Sequence, residues 1–232
     1  MPSRGPDTID VSVEVGAKRA FACALAWPGW CRGGRDESSA IEALLAYGPR
    51  YAQVLRGTRL GFRVPASARM VERLEGDATT DFGAPGAAPS ADAEPMTEAD
   101  LRLARSLLRA GWTAFDRAVE SAAGTTLATG PRGGGRDLDR IVAHVLDAEA
   151  GYLSRIGMKP GPDGDAADRL ERARAVVLDA LATVVRDGVP PSPRGGKRWA
   201  PRYFVRRSAW HVLDHTWELE DRTLDDPRRR DR

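Results

Sequence analysis

The sequence predicts an α+β protein, with a small β-β-α-β module in residues 1–75 and a four-helix bundle in residues 97–222. Three observations carry this. Near the N-terminus apolar residues alternate with polar ones, the period of a strand. At residues 76–96 the composition shifts to Gly, Ala, Pro and Asp with no apolar periodicity. Beyond that point apolar residues recur at spacings of three and four, the period of a helix.

In the first part, Ile9, Val11, Val13 and Val15 alternate with Asp10, Ser12 and Glu14, as in a half-buried strand. Phe21, Cys23 and Leu25 repeat the pattern after a turn at 16–19, so strands over 9–15 and 21–26 form a hairpin. The WPGW string at 27–30 reads as a turn. Asp36 is placed to cap a short helix whose stripe is Ile41, Leu44 and Leu45. Gly48–Pro49 kinks or ends it. GFRV and ARMVERLEG supply one or two closing strands. A unit of about 70 residues is marginal by itself, because small domains bury proportionally less surface. Residues 76–96 read either as a linker or as a long ordered connection over the surface.

The second part opens with Thr97 and Asp100, spaced like a capping box. Leu101, Ala104, Leu108, Trp112, Phe115 and Val119 form the stripe of the first helix. A second helix, over 137–156, turns Leu138, Ile141, Val145, Ala148 and Tyr152 inward. A third covers 166–186, with Leu170, Val177, Leu181 and Val184 inward, and Gly188 and Pro190 stop it. The fourth runs over 201–222 with Val205, Ser208, Val212, His215 and Leu219 on one side. Four helices with one apolar stripe each make a bundle. Residues 223–232 read as a solvated, charged tail.

Composition excludes several classes. The 232 residues are 42% hydrophobic and 29% charged with a net charge of +2, so no global field draws the chain to nucleic acid or membrane. No apolar run approaches the roughly 18 residues of a membrane span. No helix-turn-helix signature or dense basic stripe argues for nucleic acid. The start, MPSRGPDTID, has no apolar secretory region. Cys23 and Cys31 make neither a disulfide framework nor a CxxC pair. A reducing, cytoplasmic location follows as the expectation.

The chain contains three histidines, and their placement carries the functional reading. His211 and His215 are one helical turn apart, so both imidazoles face one side. His144 lies on the apolar side of the second helix. Bundles build metal sites from side chains on facing helices, and three protein nitrogens with open positions are the arrangement of a catalytic ion. Asp147 and Asp214, each three residues from a histidine, are placed to orient an imidazole through its second nitrogen. Glu149 and Glu218 are candidates for a general base.

The string Pro-Arg-Gly-Gly occurs before both histidine-bearing helices, in GPRGGGRD and SPRGGKRW. Glycine-rich backbone followed by a helix N-terminus favours an anion. Arg132, Arg136, Arg194, Lys197 and Arg198 add charge, so the pair reads as a clamp for an anionic cofactor. This requires both helices to start at the same end of the bundle. PRGGGR lacks the Lys-Ser/Thr of a nucleotide-hydrolysing loop. Trp199, Tyr203, Trp210 and Trp217 wall a pocket or pack the core.

One histidine in the second helix, followed by HVLDAE acids, and HxxxH in the fourth resemble the DinB-like metal-binding bundle superfamily over residues 97–222. The resemblance implies a divalent metal, zinc or nickel, on His144, His211 and His215. It also implies transfer of a low-molecular-weight thiol of the mycothiol or bacillithiol type. Hydrolysis by a water acidified by the same ion is the alternative. Pro28, Gly29, Gly34, Glu37, Ala40, Glu42, Ala43 and Leu44 resemble the HicB-like fold, which implies a partner-binding module. In that third reading the protein is not an enzyme and the metal is structural. The expected partner is a small-molecule substrate or thiol, and a homodimer is left open by the sequence.

Overall fold

The computed structural model describes residues 7–130, 135–160, 166–193 and 195–224. Arg132, Arg194 and the tail from residue 225 lie outside them. Among the described residues no helix is long and apolar enough to cross a membrane.

The hairpin forms as its alternation predicts. Strand β1 (Thr8–Val15) pairs antiparallel with β2 (Ala20–Ala24). A third strand, β3 (Cys31–Gly34), follows the WPGW turn and pairs with β2. The sequence gives no sign of β3, because CRGG is short and half glycine. Helix α1 (Glu37–Ala46) starts at Asp36, whose side chain accepts from the Ser39 amide. Helix α2 (Gly48–Val54) begins where the Gly-Pro pair interrupts α1. GFRV is not a strand; ARMVERLE is, within β4 (Ser67–Glu75), which lies parallel to β1 and closes the sheet in the order β3-β2-β1-β4.

Both faces of β1 are covered, so its alternation does not mark a solvated side. Ile9, Val11 and Val13 pack with α1 and α2, and the same apolar cluster takes Leu107, Ala110, Leu213 and Trp217 from the bundle. The module and the bundle therefore share a core. On the opposite face, residues 76–96 form an ordered strap containing α3 (Ala78–Phe82) and a 3-10 turn, Ser90–Ala93. Glu14, 2% exposed, accepts hydrogen bonds from the Thr80 hydroxyl and from the Gly86 and Ala87 amides. Those donors make the burial of a carboxylate affordable. Further along, Arg206 of the bundle binds buried Asp92 of the strap through Nε and Nη2, at 2.7 and 2.8 Å.

Cys23 and Cys31 are cross-strand partners on that face, and they are bonded to each other. This corrects the reading of the cysteines and removes their support for a reducing compartment. A spacing of eight residues does not reveal that a turn will place the two side by side. Gly29 makes the turn possible: its φ is +94°, and a Cβ there would meet Leu213 Cδ1 at 2.9 Å. Only glycine accepts both the left-handed backbone and the contact.

The four bundle helices are α4 (Glu98–Ala122), α5 (Leu138–Arg155), α6 (Ala166–Asp187) and α7 (Pro201–Leu224). Thr97 and Asp100 form the capping box, and Gly188, at φ +85°, closes α6. One apolar cluster draws on all four helices, including Leu108, Phe115, Ile141, Leu181 and Phe204. Their directions follow from contacts. Arg202 reaches Asp100 and Gly111 faces Leu213, so α4 and α7 are parallel. Arg174 pairs with Asp116 and Arg105 with Asp179, so α6 opposes α4. The Trp199 amide donates to the Arg155 carbonyl, while Arg222 Nη1 donates to the Arg136 carbonyl. Hence α5 and α7 are antiparallel.

Candidate metal centre

The three histidines converge in the groove between α5 and α7. One nitrogen from each lies within 4.8 Å of the others. His211 Nε2 is 3.2 Å from His144 Nε2, and the rings of His144 and His215 have centroids 5.0 Å apart. Two imidazole nitrogens at that distance cannot both carry protons. Burial first, then the nearby His215 and His144 and the charges of Arg207 and Arg136, push the His211 pKa down to about 2. Burial, His215 and Arg136 also lower His144, against Asp147 and Glu218. The pair therefore presents lone pairs at neutral pH, as metal ligands must. His211 Nδ1 is buried without a protein partner. If it carries the ring proton, Nε2 faces the site unprotonated, with its lone pair free for an ion. Three imidazole nitrogens gathered about one point fit a divalent ion such as zinc or nickel.

His215 has a defined orientation. Its Nδ1–H donates to Glu218 Oε2 at 2.7 Å, and Arg222 Nη1 donates to Glu218 Oε1 at 2.9 Å. In the neutral ring this bond leaves the second nitrogen as an acceptor. Burial raises the Glu218 carboxyl, but the hydrogen bonds and charges of His215 and Arg222 outweigh it and leave the carboxyl below its usual range. Both Glu218 oxygens are thus occupied, and its geometry is that of an orienting carboxylate. Arg222 also donates to the Ala128 and Arg136 carbonyls, anchoring the segment before α5. The positions 215, 218 and 222 lie on one helical face, so their spacing alone could have disclosed the relay. Replacing Glu218 by Gln is expected to weaken zinc binding by about 10–100-fold, the range for an outer partner of a metal ligand. Competition with a zinc-sensitive dye measures this.

Other candidates lie elsewhere. Asp214 binds Arg32 of β3 at 2.9 Å and so ties the bundle to the sheet. Asp147 is exposed and acts on His144 only through its charge. Arg136 and Lys197 sit at opposite ends of the bundle because α5 and α7 are antiparallel. These two cations therefore do not meet at one site, and Arg132 and Arg194 lie outside the described residues. Trp210 packs with Phe21 and the disulfide, and Trp217 fills the shared core. Trp199 and Tyr203 do wall a cleft.

Glu149 is not at the ion site but in the bundle core, 2% exposed. Trp112 Nε1–H donates to its Oε1 at 2.6 Å, and its Oε2 has no protein partner. Burial raises its pKa to about 7, against the Trp112 bond and the Arg174 charge. An acid whose pKa is raised in the native state holds its proton longer there than in the unfolded chain. Stability contributed by the neutral form is thus lost as pH climbs from the unfolded value towards 7, on the order of 3 kcal/mol in all. Glu149→Gln keeps the acceptor for Trp112 and is expected to flatten that loss in urea melts at acid and alkaline pH.

Compared with family models, curated proteins and solved structures, the chain matches none. Its functional reading rests on its own residues.

Proposed function

We propose that this protein is a DinB-like, divalent-metal-dependent enzyme that transfers a low-molecular-weight thiol to an electrophile. The observation that supports this is the convergence of His144, His211 and His215, with one nitrogen from each within 4.8 Å. When bound, zinc or nickel acidifies a thiol and holds its sulfur as thiolate. The chain's residues do the rest. Burial keeps His211 neutral, Glu218 and Arg222 fix the His215 ring, and Tyr152 closes against His211 with ring centroids 5.7 Å apart.

Hydrolysis would draw on a free carboxylate to take a proton from water. Glu218 is engaged on both oxygens, Asp214 is paired with Arg32, and the exposed Asp147 acts on His144 only through its charge, which favours the thiol reading. A purely partner-binding role for the N-terminal module is less well supported, because the strap and α7 cover one face of its sheet and helices cover the other. The test is metal content followed by conjugation of mycothiol or bacillithiol to a generic electrophile. Zinc should bind at one per chain, and a chelator should abolish conjugation. Conjugation that persists in chelator would overturn the proposal.

A further inference from the structure

An open cleft begins one helical turn from the histidines along α5 and α7. Ala148 is one turn past His144 on α5, and Arg207 is one turn before His211 on α7. Both line this cleft of about 710 Å³, which follows the two helices towards Arg155 and Lys197. The lining includes four cationic side chains, Arg155, Lys197, Arg198 and Arg207, and no carboxylate. Among the described residues none of the four has an acidic partner. Arg198 donates through Nη1 to the Ser154 carbonyl, and its Nε is buried without a partner. Arg207 Nη1 is buried and unpartnered as well.

The remaining wall is aromatic. Tyr152 and Trp199 have ring centroids 5.2 Å apart, and Trp199 and Tyr203 5.0 Å. The guanidinium of Arg155 stands 5.8 Å from the Trp199 centroid and that of Arg207 5.7 Å from Tyr152. Like charges gathered along a concave wall repel one another and make a positive field, which an anion relieves. The rings offer faces and edges to a planar group. Pockets of this kind hold a ligand's apolar body with a few polar anchors.

We propose that this cleft binds a small organic anion with a planar, aromatic body. Its charged end is held by Arg155, Lys197 and Arg198, and its other end is directed past Tyr152 to the His144–His211 pair. Seven residues separate Ala148 from Arg155, about 10 Å at the helical rise, which sets the length of the ligand. Its direction rests on the metal centre proposed above; its binding does not.

Calorimetric titration of the full chain with naphthalene carboxylate and with its neutral carboxamide tests this. The carboxylate should bind at least about tenfold more tightly, a difference of about 1.4 kcal/mol, and the gap should narrow with added salt. Arg155→Glu combined with Lys197→Glu alters two exposed residues and should weaken the carboxylate by at least about tenfold, leaving zinc content and helical signal unchanged. Equal binding of acid and amide, or unchanged carboxylate affinity in the double variant, overturns the proposal. Inorganic phosphate competing as well as the carboxylate overturns its aromatic part. The two readings fail separately: a chain that binds the carboxylate but no zinc loses only the metal centre, and the reverse loses only the cleft.

Discussion

Replacement of His211 by Ala is expected to abolish stoichiometric zinc binding while the helices stay folded. His211 is buried, faces His144 at 3.2 Å and packs against Tyr152 and Trp210. Loss of an outer partner of a ligand costs about 10–100-fold in affinity, and loss of a ligand itself should exceed that range. An apolar cluster drawn from all four helices holds the bundle together, so far-UV circular dichroism should change little. Zinc titration with a competing chelator reads the affinity. An Ala variant that retains one zinc per chain at wild-type affinity would place the ion elsewhere.

Asp92→Ala is expected to cause the largest loss of stability among single substitutions in the strap. Asp92 and Arg206 are 2% and 7% exposed, and Arg206 also donates to the Ala24 and Leu25 carbonyls at 2.8 and 3.1 Å. Removing the carboxylate leaves a guanidinium buried between β2, the strap and α7 with its charge uncompensated. Breaking such a pair costs about 3–5 kcal/mol, and at about 2–4 °C per kcal/mol in a chain of this size Tm should fall by roughly 10 °C. The variant should also expose residues 76–96 to protease, which the wild-type strap should resist. A thermal melt and a timed digest check both. Loss confined to about 1 kcal/mol, as for a surface pair, would show that the strap is held by other contacts.

The helices were legible because their signals are local. Thr97 with Asp100, Asp137, and Gly188 with Pro190 mark helix ends by hydrogen bonds and backbone angles that span a few residues. The histidine set was legible for the same reason: His211 and His215 share a face by spacing alone, and His144 shares its helix's apolar side. The alternation of β1 placed its inward residues correctly. It did not reveal that Ser12 and Glu14 would also be buried, because a strand's period records two faces and not what covers the second. Asp147, Asp214 and Glu218 have nearly equal sequence claims to orient a histidine. Only Glu218 bonds to one, since side-chain direction and competing partners such as Arg32 decide the matter.

By itself the sequence determined the α+β class, the four bundle helices and the three imidazoles, since periodicity, capping and spacing act within a few turns of chain. The tertiary structure alone decided how those pieces face one another. Helix period carries no direction, and ten residues between α5 and α6 can span about 33 Å when extended, enough to let α6 run parallel to α5. That choice sets α7 against α5, puts Arg136 and Lys197 at opposite ends of the bundle, and opens a cationic, aromatic cleft along the two helices. The strap and the Cys23–Cys31 bond follow likewise from contacts between segments far apart or newly turned together, for which no residue pattern within either segment provides a signal.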